Sequence, residues 1–248
     1  MPSTYTTAYL IGALLFVPVW LLLYWRYPAG RREMLVMSGI FVVIGVPMEL
    51  LIFSKDWWHP ETITGTTVGV EDVVYSIGNG GYMAALYGAV FRGQPVQSRA
   101  TPGWLARLAP LAAISVLPLA LFYGLGIHSF VGTTIGSLIA LGLILSMRRD
   151  LIQVALVTAL IGTALAIPVY VIMEAVFPGW IAATWDLRRL SGIVVVGIPV
   201  EDLIWYLYTS ALWSTYYKFA TGVRLERGLA LVSGTPLRVT RAGHHEAR

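Results

Sequence analysis

The sequence has no cysteine and little charge: charged residues make up 12% of its 248 positions, whereas hydrophobic residues make up 57%. Without cysteine, a disulfide framework, a thiolate metal site and a cysteine nucleophile are all excluded. The four histidines, His59, His128, His244 and His245, do not have the spacing of a metal site. A mean hydropathy of +0.72 is too high for a water-soluble domain and predicts an all-α integral membrane protein.

Other common motifs are missing as well. The glycine-rich stretch at residues 78–81 lies inside a predicted helix, so it predicts close packing or a kink rather than a dinucleotide site. There is no aspartate-rich motif that would bind a diphosphate through Mg²⁺, and we expect no metal and no cofactor. The first apolar run, from Ala8 to Trp25, lacks a basic segment before it and a small-residue cleavage site after it. We therefore expect this run to remain as a membrane helix.

Seven apolar runs have about the 20 residues that a helix needs to cross a bilayer. They cover residues 8–25, 34–53, 69–91, 104–123, 126–146, 151–176 and 198–220. Basic residues follow the odd-numbered runs, so fourteen of the seventeen Lys and Arg residues fall on one side, against Lys55, Arg188 and Arg189 on the other. The excess of positive charge inside predicts an outward N-terminus and a cytoplasmic C-terminus, and it explains the basic pI without nucleic-acid binding.

The two halves of the chain carry a similar pattern. Met48-Glu49, a tryptophan loop and Val70-Glu71-Asp72 in the first half match Met173-Glu174, Trp185 and Val200-Glu201-Asp202 in the second. Each motif of the first half recurs four helices later. Because four is an even number, equivalent helices cross the membrane in the same direction, so the two copies are parallel and related by an axis along the membrane normal. This predicts a 3+1+3 arrangement with repeats at residues 1–103 and 126–222, a linking helix at 104–125 and a mobile tail at 223–248.

Six of the thirteen acidic residues occupy this pattern, which places them in one layer near the outer face. Glu71, Asp72, Glu201 and Asp202 open helices, where the helix dipole stabilises an acid without any function. Glu49 and Glu174 lie in last turns, where the dipole opposes a carboxylate. Their recurrence in both halves indicates a shared cavity in which all six are candidate catalytic residues.

Aromatic residues accompany these acids. Tyr75 lies four residues after Glu71, and Trp205 and Tyr206 lie four residues after Glu201 and Asp202, so each ring shares a helix face with an acid. Trp58 and Trp185 belong to the outer loops, where an interfacial aromatic belt is an alternative explanation. Acids beside ring faces in an apolar chamber suit protonation of an alkene, because the rings stabilise the carbocation away from water.

The paired motifs resemble the membrane-integral lycopene cyclases of carotenoid synthesis, in which two homologous three-helix units occur as separate subunits or as one fused chain. The residues that carry the resemblance are Pro47-Met48-Glu49, the tryptophan loop at 57–61, Gly69-Val70-Glu71-Asp72 and Pro199-Val200-Glu201-Asp202. The chain departs from the family pattern because Gly69 replaces a proline, Asp72 and Asp202 replace the second Glu, and Glu49 replaces an Asp. A phenylalanine pair that follows the family motif is also absent.

The resemblance implies cofactor-independent, non-redox cyclisation of a linear isoprenoid taken from the bilayer. Glu201 is our expected proton donor, since its neighbours are more apolar and aromatic than those of Glu71. Cyclisation of a different terpenoid and transport by a small 3+1+3 membrane carrier are the alternatives. A retinal receptor is disfavoured, because the lysine of the last run, Lys218, lies at its inner end. A prokaryotic cell membrane is the expected location, and the oligomeric state stays open.

Overall fold

A computed structural model describes residues 5–97 and 99–227. Its long helices lie close to the predicted runs. They are α1 (Ala8–Arg26, with an irregular residue at Leu15), α2 (Arg31–Met48), α3 (Val70–Val90), α4 (Trp104–Leu125), α5 (Ser129–Met147), α6 (Ile152–Val176) and α7 (Val200–Thr221). A π-helical turn, Glu49–Phe53, and a short helix, Ser54–Asp56, extend α2, and another short helix, Trp180–Thr184, follows α6. Short 3₁₀ turns at Pro28–Gly30 and Arg149–Leu151 precede α2 and α6.

Five helical stretches of the described residues are long and apolar enough to cross a membrane. They are Ala8–Arg26, Pro28–Asp56, Trp104–Leu125, Ser129–Met147 and Arg149–Val176. Their apolar side chains face outward, as at Val43, Leu125 and Leu160, which are 73%, 72% and 67% exposed. Outward apolar faces on this scale fit lipid rather than water, so the chain is a helical membrane protein.

The remaining two long helices, α3 and α7, lie at the centre of the bundle. Helix α3 packs against α1 and α2, α7 packs against α5 and α6, and α3 and α7 also contact each other. Close approach to α2 depends on Gly80, where a side-chain Cβ would lie 2.7 Å from the carbonyl oxygen of Met37. The glycine-rich stretch therefore serves close helix packing, as the sequence predicted. Helix α4 packs on α5.

Backbone contacts join the two halves at both ends of the bundle. At one end Trp58 and Trp185 form an antiparallel bridge, and the His59 amide donates to the carbonyl of Thr184 over 2.7 Å. At the other end β1 (Gly93–Gln97), which follows α3, pairs antiparallel with β4 (Val223–Arg227), which follows α7. A two-residue ladder, β2 (Val194–Val195) with β3 (Ile198–Pro199), precedes α7. The sequence predicted a mobile tail at residues 223–248. Residues 223–227 instead form strand β4, and residues 228–248 lie outside the part of the chain that the structure describes.

An ion pair lies inside the bundle near the β1–β4 ribbon. The Lys218 ammonium of α7 donates to the Glu33 carboxylate of α2 over 2.5 Å, and also to the carbonyls of Ala84 and Ser214 over 3.1 and 2.8 Å. Lys218 is fully buried. Since three acceptors satisfy its three N–H groups, the charge is compensated where it is buried, and α2, α3 and α7 are joined at this end.

Candidate active site

A cavity of about 70 Å³ opens between the two halves, at the end of the bundle where α2 ends and α3 and α7 begin. Its wall holds three acids, Glu49, Asp72 and Asp202. Each of them is at most 5% exposed. The rest is mainly aromatic: Tyr9, Phe41, Phe53, Trp57, Trp58, Tyr75, Tyr170, Trp185 and Trp205, with Gly45 and Ser76. We call this cavity the carboxylate chamber.

Asp72 and Asp202, in the first turns of α3 and α7, have comparable surroundings. Asp72 accepts hydrogen bonds from the Tyr9 hydroxyl, over 2.7 Å, and from the Gly69 amide, over 2.8 Å, so it also caps α3. Asp202 accepts from the Tyr170 hydroxyl over 2.6 Å and from the Trp57 indole N–H over 3.1 Å. Both carboxylates are thus oriented into the chamber by neutral donors on each oxygen.

Glu49 reaches the chamber from the π-helical turn at the end of α2. Its Oε2 accepts a hydrogen bond from the indole N–H of Trp58 over 2.7 Å. Its buried Oε1 has no hydrogen-bond partner among the residues that the structure describes. A buried polar oxygen without a partner is costly, and one that lines a cavity is available to a ligand.

The structure places the other three predicted acids differently, each against its own loop. Glu71 Oε1 accepts from the Ile63 amide over 2.6 Å, and Glu201 Oε1 accepts from the Ser191 amide over 2.7 Å. Glu174 accepts from the amides of Gly179 and Ile181 over 2.6 and 3.2 Å. None of the three belongs to the wall of the chamber. The expectation that Glu71 and Glu201 face each other across the cavity, with Glu174 nearby, is therefore corrected.

Helix geometry gives the physical reason for the correction. Adjacent residues of a helix point about 100° apart, so Glu71 and Asp72 point to different surroundings, and the same holds for Glu201 and Asp202. In each pair the aspartate faces inward and the glutamate turns to the preceding loop. Glu49 and Glu174 differ because α2 widens into a π turn at Glu49, whereas α6 continues as a regular helix to Val176. π turns are rare and are frequent at functional sites.

The predicted aromatic residues gather around the chamber. Tyr75, Trp205, Trp58 and Trp185 line it, and the rings of Trp58 and Trp185 have centroids 5.5 Å apart. Tyr206 lies just outside, where its hydroxyl is 2.9 Å from the hydroxyl of Tyr75. Trp185 is buried and Trp58 is partly buried, and both line the chamber, so their setting is that of a wall.

Sequence reasoning missed Tyr9, Tyr170, Phe41 and Trp57 as wall residues. Tyr9 and Tyr170 hold Asp72 and Asp202 through their hydroxyls. A signal existed for Tyr170, because a tyrosine hydroxyl within a long apolar helix needs a polar partner. Nothing in the sequence indicated that Trp57, in the first half, would bond to Asp202 in the second.

No group of three or more His, Asp or Glu side chains that could hold a metal ion occurs within residues 5–97 and 99–227. Among known protein families, a model described as lycopene cyclase matches residues 2–90 and 128–220 of the chain. These two regions correspond to the two halves that meet at the chamber. No curated protein and no solved structure matches the chain significantly.

Proposed function

Because the chain belongs to the lycopene cyclase family, we propose that the carboxylate chamber cyclises the end of a linear polyene by protonating it. The observation that carries the proposal is the meeting of Glu49, Asp72 and Asp202 in one cavity walled by aromatic rings. An acid, a base and π surfaces are what protonation-initiated cyclisation requires, and no redox change is involved.

Glu49 is the proposed proton donor. Glu49 lines the chamber, its buried Oε1 has no partner among the described residues, and Trp58 holds its Oε2. A proton carried on Oε1 would point at the substrate, and a carboxyl group in a site poor in water holds its proton more readily than one in water. This assignment replaces Glu201, which does not line the chamber: its Oε1 accepts from the Ser191 amide, and its buried Oε2 has no partner among the described residues.

Asp202 is the proposed base. It accepts hydrogen bonds from the side chains of Tyr170 and Trp57, and these stabilise an ionised carboxylate. Asp72 also accepts two hydrogen bonds, but one comes from the backbone amide that begins α3, so part of its role is structural. We therefore assign to Asp72 the stabilisation of positive charge rather than proton removal.

The reaction balances without another reactant. The O–H bond of Glu49 breaks as its proton adds to the terminal alkene, and the neighbouring double bond closes the ring by forming a C–C bond to the resulting cation. Asp202 then takes a proton from a carbon next to the new cation, which restores a double bond. One proton enters and one leaves, so substrate and product are isomers. Trp205 and Tyr75 present ring faces to the cationic stage.

The direct test is expression in a bacterium that accumulates lycopene, followed by chromatography of the pigments. We expect a cyclised carotenoid with the intact chain and the linear pigment with an empty vector. A linear pigment in cells whose membranes contain the folded protein would count against lycopene and direct the search to other linear isoprenoids.

The membrane arrangement belongs to the same proposal. We infer that α3 and α7 also cross the bilayer, giving two parallel three-helix repeats joined by α4, with the chamber towards the outer face. The central positions of α3 and α7 and the pairing of equivalent segments at both ends of the bundle support this. Reporter domains fused after Arg92 and after Arg227 should both be cytoplasmic, and an external reporter at either site would refute the parallel arrangement.

A further inference from the structure

A second cavity continues from the carboxylate chamber into the bundle, between α2, α5 and α7. It has a volume of about 50 Å³ and shares Phe41, Gly45, Phe53 and Trp205 with the chamber. Beyond the shared part it is lined by Ile44, Met48, Ile114, Thr133, Ser137, Thr209, Leu212 and Trp213. We call it the side groove. It holds no acid, so it extends the chamber with an uncharged and largely apolar passage.

The side groove follows the helix axes towards the middle of the bundle. On α7 its lining residues run from Trp205 to Trp213 at helical spacing, along one face. At 1.5 Å per residue this stretch is about 12 Å long. A passage of this length and polarity suits an extended hydrocarbon chain that leaves the chamber.

A related cavity lies on the other side of the chamber, between α1 and α6. It has a volume of about 30 Å³ and contacts the chamber through Tyr75 and Tyr170, among others. Phe16 of α1 projects into this region, and its ring stacks on Tyr82 with centroids 5.8 Å apart. Phe16 also packs edge-on against Tyr75 at 5.7 Å. One aromatic side chain thus occupies part of the space on this side.

The corresponding helix of the second half carries a small residue at the same distance from its start. Helix α1 begins at Ala8 and α5 at Ser129, so Phe16 and Ser137 stand at the same distance from the start of their helices. Ser137 lines the side groove, and its hydroxymethyl group is smaller than the phenyl ring that Phe16 contributes to the cavity beside α1. The two halves therefore differ in the size of the side chain at this helix position.

We propose that the side groove binds the unreacted arm of the linear polyene whose end lies in the carboxylate chamber, and that Ser137 determines whether a long arm fits. This proposal rests on the proposed function, because it takes the polyene as substrate. An arm in the groove fixes the direction in which the molecule enters the chamber. It also restricts which end of the substrate reaches Glu49 at any one time.

The test fills the groove with the side chain that the other half already uses. Ser137→Phe is compared with Ser146→Phe, the same substitution on the same helix at an exposed position outside the groove. Each variant is assayed on lycopene and on a shortened acyclic isoprenoid with the same end group but roughly half the arm. We expect Ser137→Phe to lose about tenfold or more in turnover of lycopene and little with the short substrate. Ser146→Phe should behave as wild type with both.

Binding is measured separately from turnover, as quenching of tryptophan fluorescence by lycopene, since Trp205 and Trp213 line the groove. Ser137→Phe should weaken this quenching, while Ser146→Phe should not. Ser137→Leu fills less of the groove, and it replaces Ser137→Phe in both assays if the Phe variant is not monodisperse in detergent. Unchanged binding and turnover of lycopene in a folded Ser137 variant would overturn the proposal, as would an equal loss with both substrates. Wild type could bind lycopene, with binding weakened by Ser137→Phe, and yet cyclise neither substrate. That result would support the groove as a binding site and refute the proposed cyclase function.

Discussion

The two halves of the chain treat their equivalent acids in two ways. Asp72 and Asp202 both face the chamber, and Glu71 and Glu201 both bind the amide of a preceding loop. In contrast, Glu49 lines the chamber, whereas Glu174 accepts two backbone N–H groups of the Gly179–Ile181 segment. Two of the three acid pairs keep the internal symmetry, and the third breaks it.

This difference indicates where the two halves diverged in role. A symmetric pair of aspartates can hold positive charge from either side, but proton donation needs one acid unlike the others. The π turn that begins at Glu49 provides that acid in the first half. Substitution at equivalent positions therefore tests the comparison directly, because each half supplies the control for the other.

The largest effect is expected at the pair that breaks the symmetry. Glu49→Gln should lower turnover by about 10² to 10⁴, since the amide keeps the shape of the side chain but cannot donate the proton. Glu174→Gln should leave turnover near wild type and lower the free energy of unfolding by about 1 kcal/mol, because one hydrogen bond to its loop is lost. Both are measured in membranes of matched protein content with a linear polyene as substrate. Equal losses at the two positions would contradict the assignment of Glu49.

The aspartate pair should separate turnover from stability. Asp202→Asn should reduce turnover by about 10², because a neutral amide cannot take up the proton. Asp72→Asn should reduce turnover less and destabilise the protein by about 1 kcal/mol, since Asp72 also accepts from the Gly69 amide at the start of α3. Thermal unfolding in detergent, followed alongside turnover, distinguishes the two. A larger loss of turnover in the Asp72 variant would exchange the two proposed roles.

A smaller effect is expected from the rings. Trp205→Leu should slow cyclisation by an amount that corresponds to about 2 kcal/mol, or change the product, because it removes a π face from the cationic stage. Tyr75→Phe is the matched control, since it keeps the ring and removes only the hydroxyl bonded to Tyr206. Product chromatography and turnover rates give the readout. Normal rate and product in Trp205→Leu would argue that this ring only fills space.

The smallest effect on turnover is expected at Glu201. Glu201→Gln should keep turnover near wild type and cost about 1 to 2 kcal/mol of stability, because a neutral amide accepts the Ser191 N–H more weakly than a carboxylate does. Glu71→Gln, in the first half, should behave in the same way through the Ile63 amide. A folded Glu201→Gln protein without activity would restore Glu201 as the essential acid.

Much of the helical framework could be predicted from the sequence. The positions of α1 to α7 follow from the long apolar runs to within a few residues, because a membrane helix needs a run of about fixed length. The layer that contains the acids was also predicted, but which acid of each neighbouring pair turns inward was not. That choice depends on helix phase, which shifts with a single residue at a boundary. The π turn at Glu49 has no sequence signature that we recognise.

The β1–β4 ribbon and the Trp58–Trp185 bridge connect the halves at opposite ends of the bundle, and the Lys218–Glu33 ion pair joins them near the ribbon. None of these connections requires the covalent link through α4, which acts as a tether. A tether raises the effective concentration of one half at the other, to the millimolar range for short flexible connections. If the chain were cut just before α4, the two halves would no longer be held at this high effective concentration. They would keep the surfaces through which they bind each other. Co-expressed halves would then assemble by mass action, with activity that depends on the amounts of both.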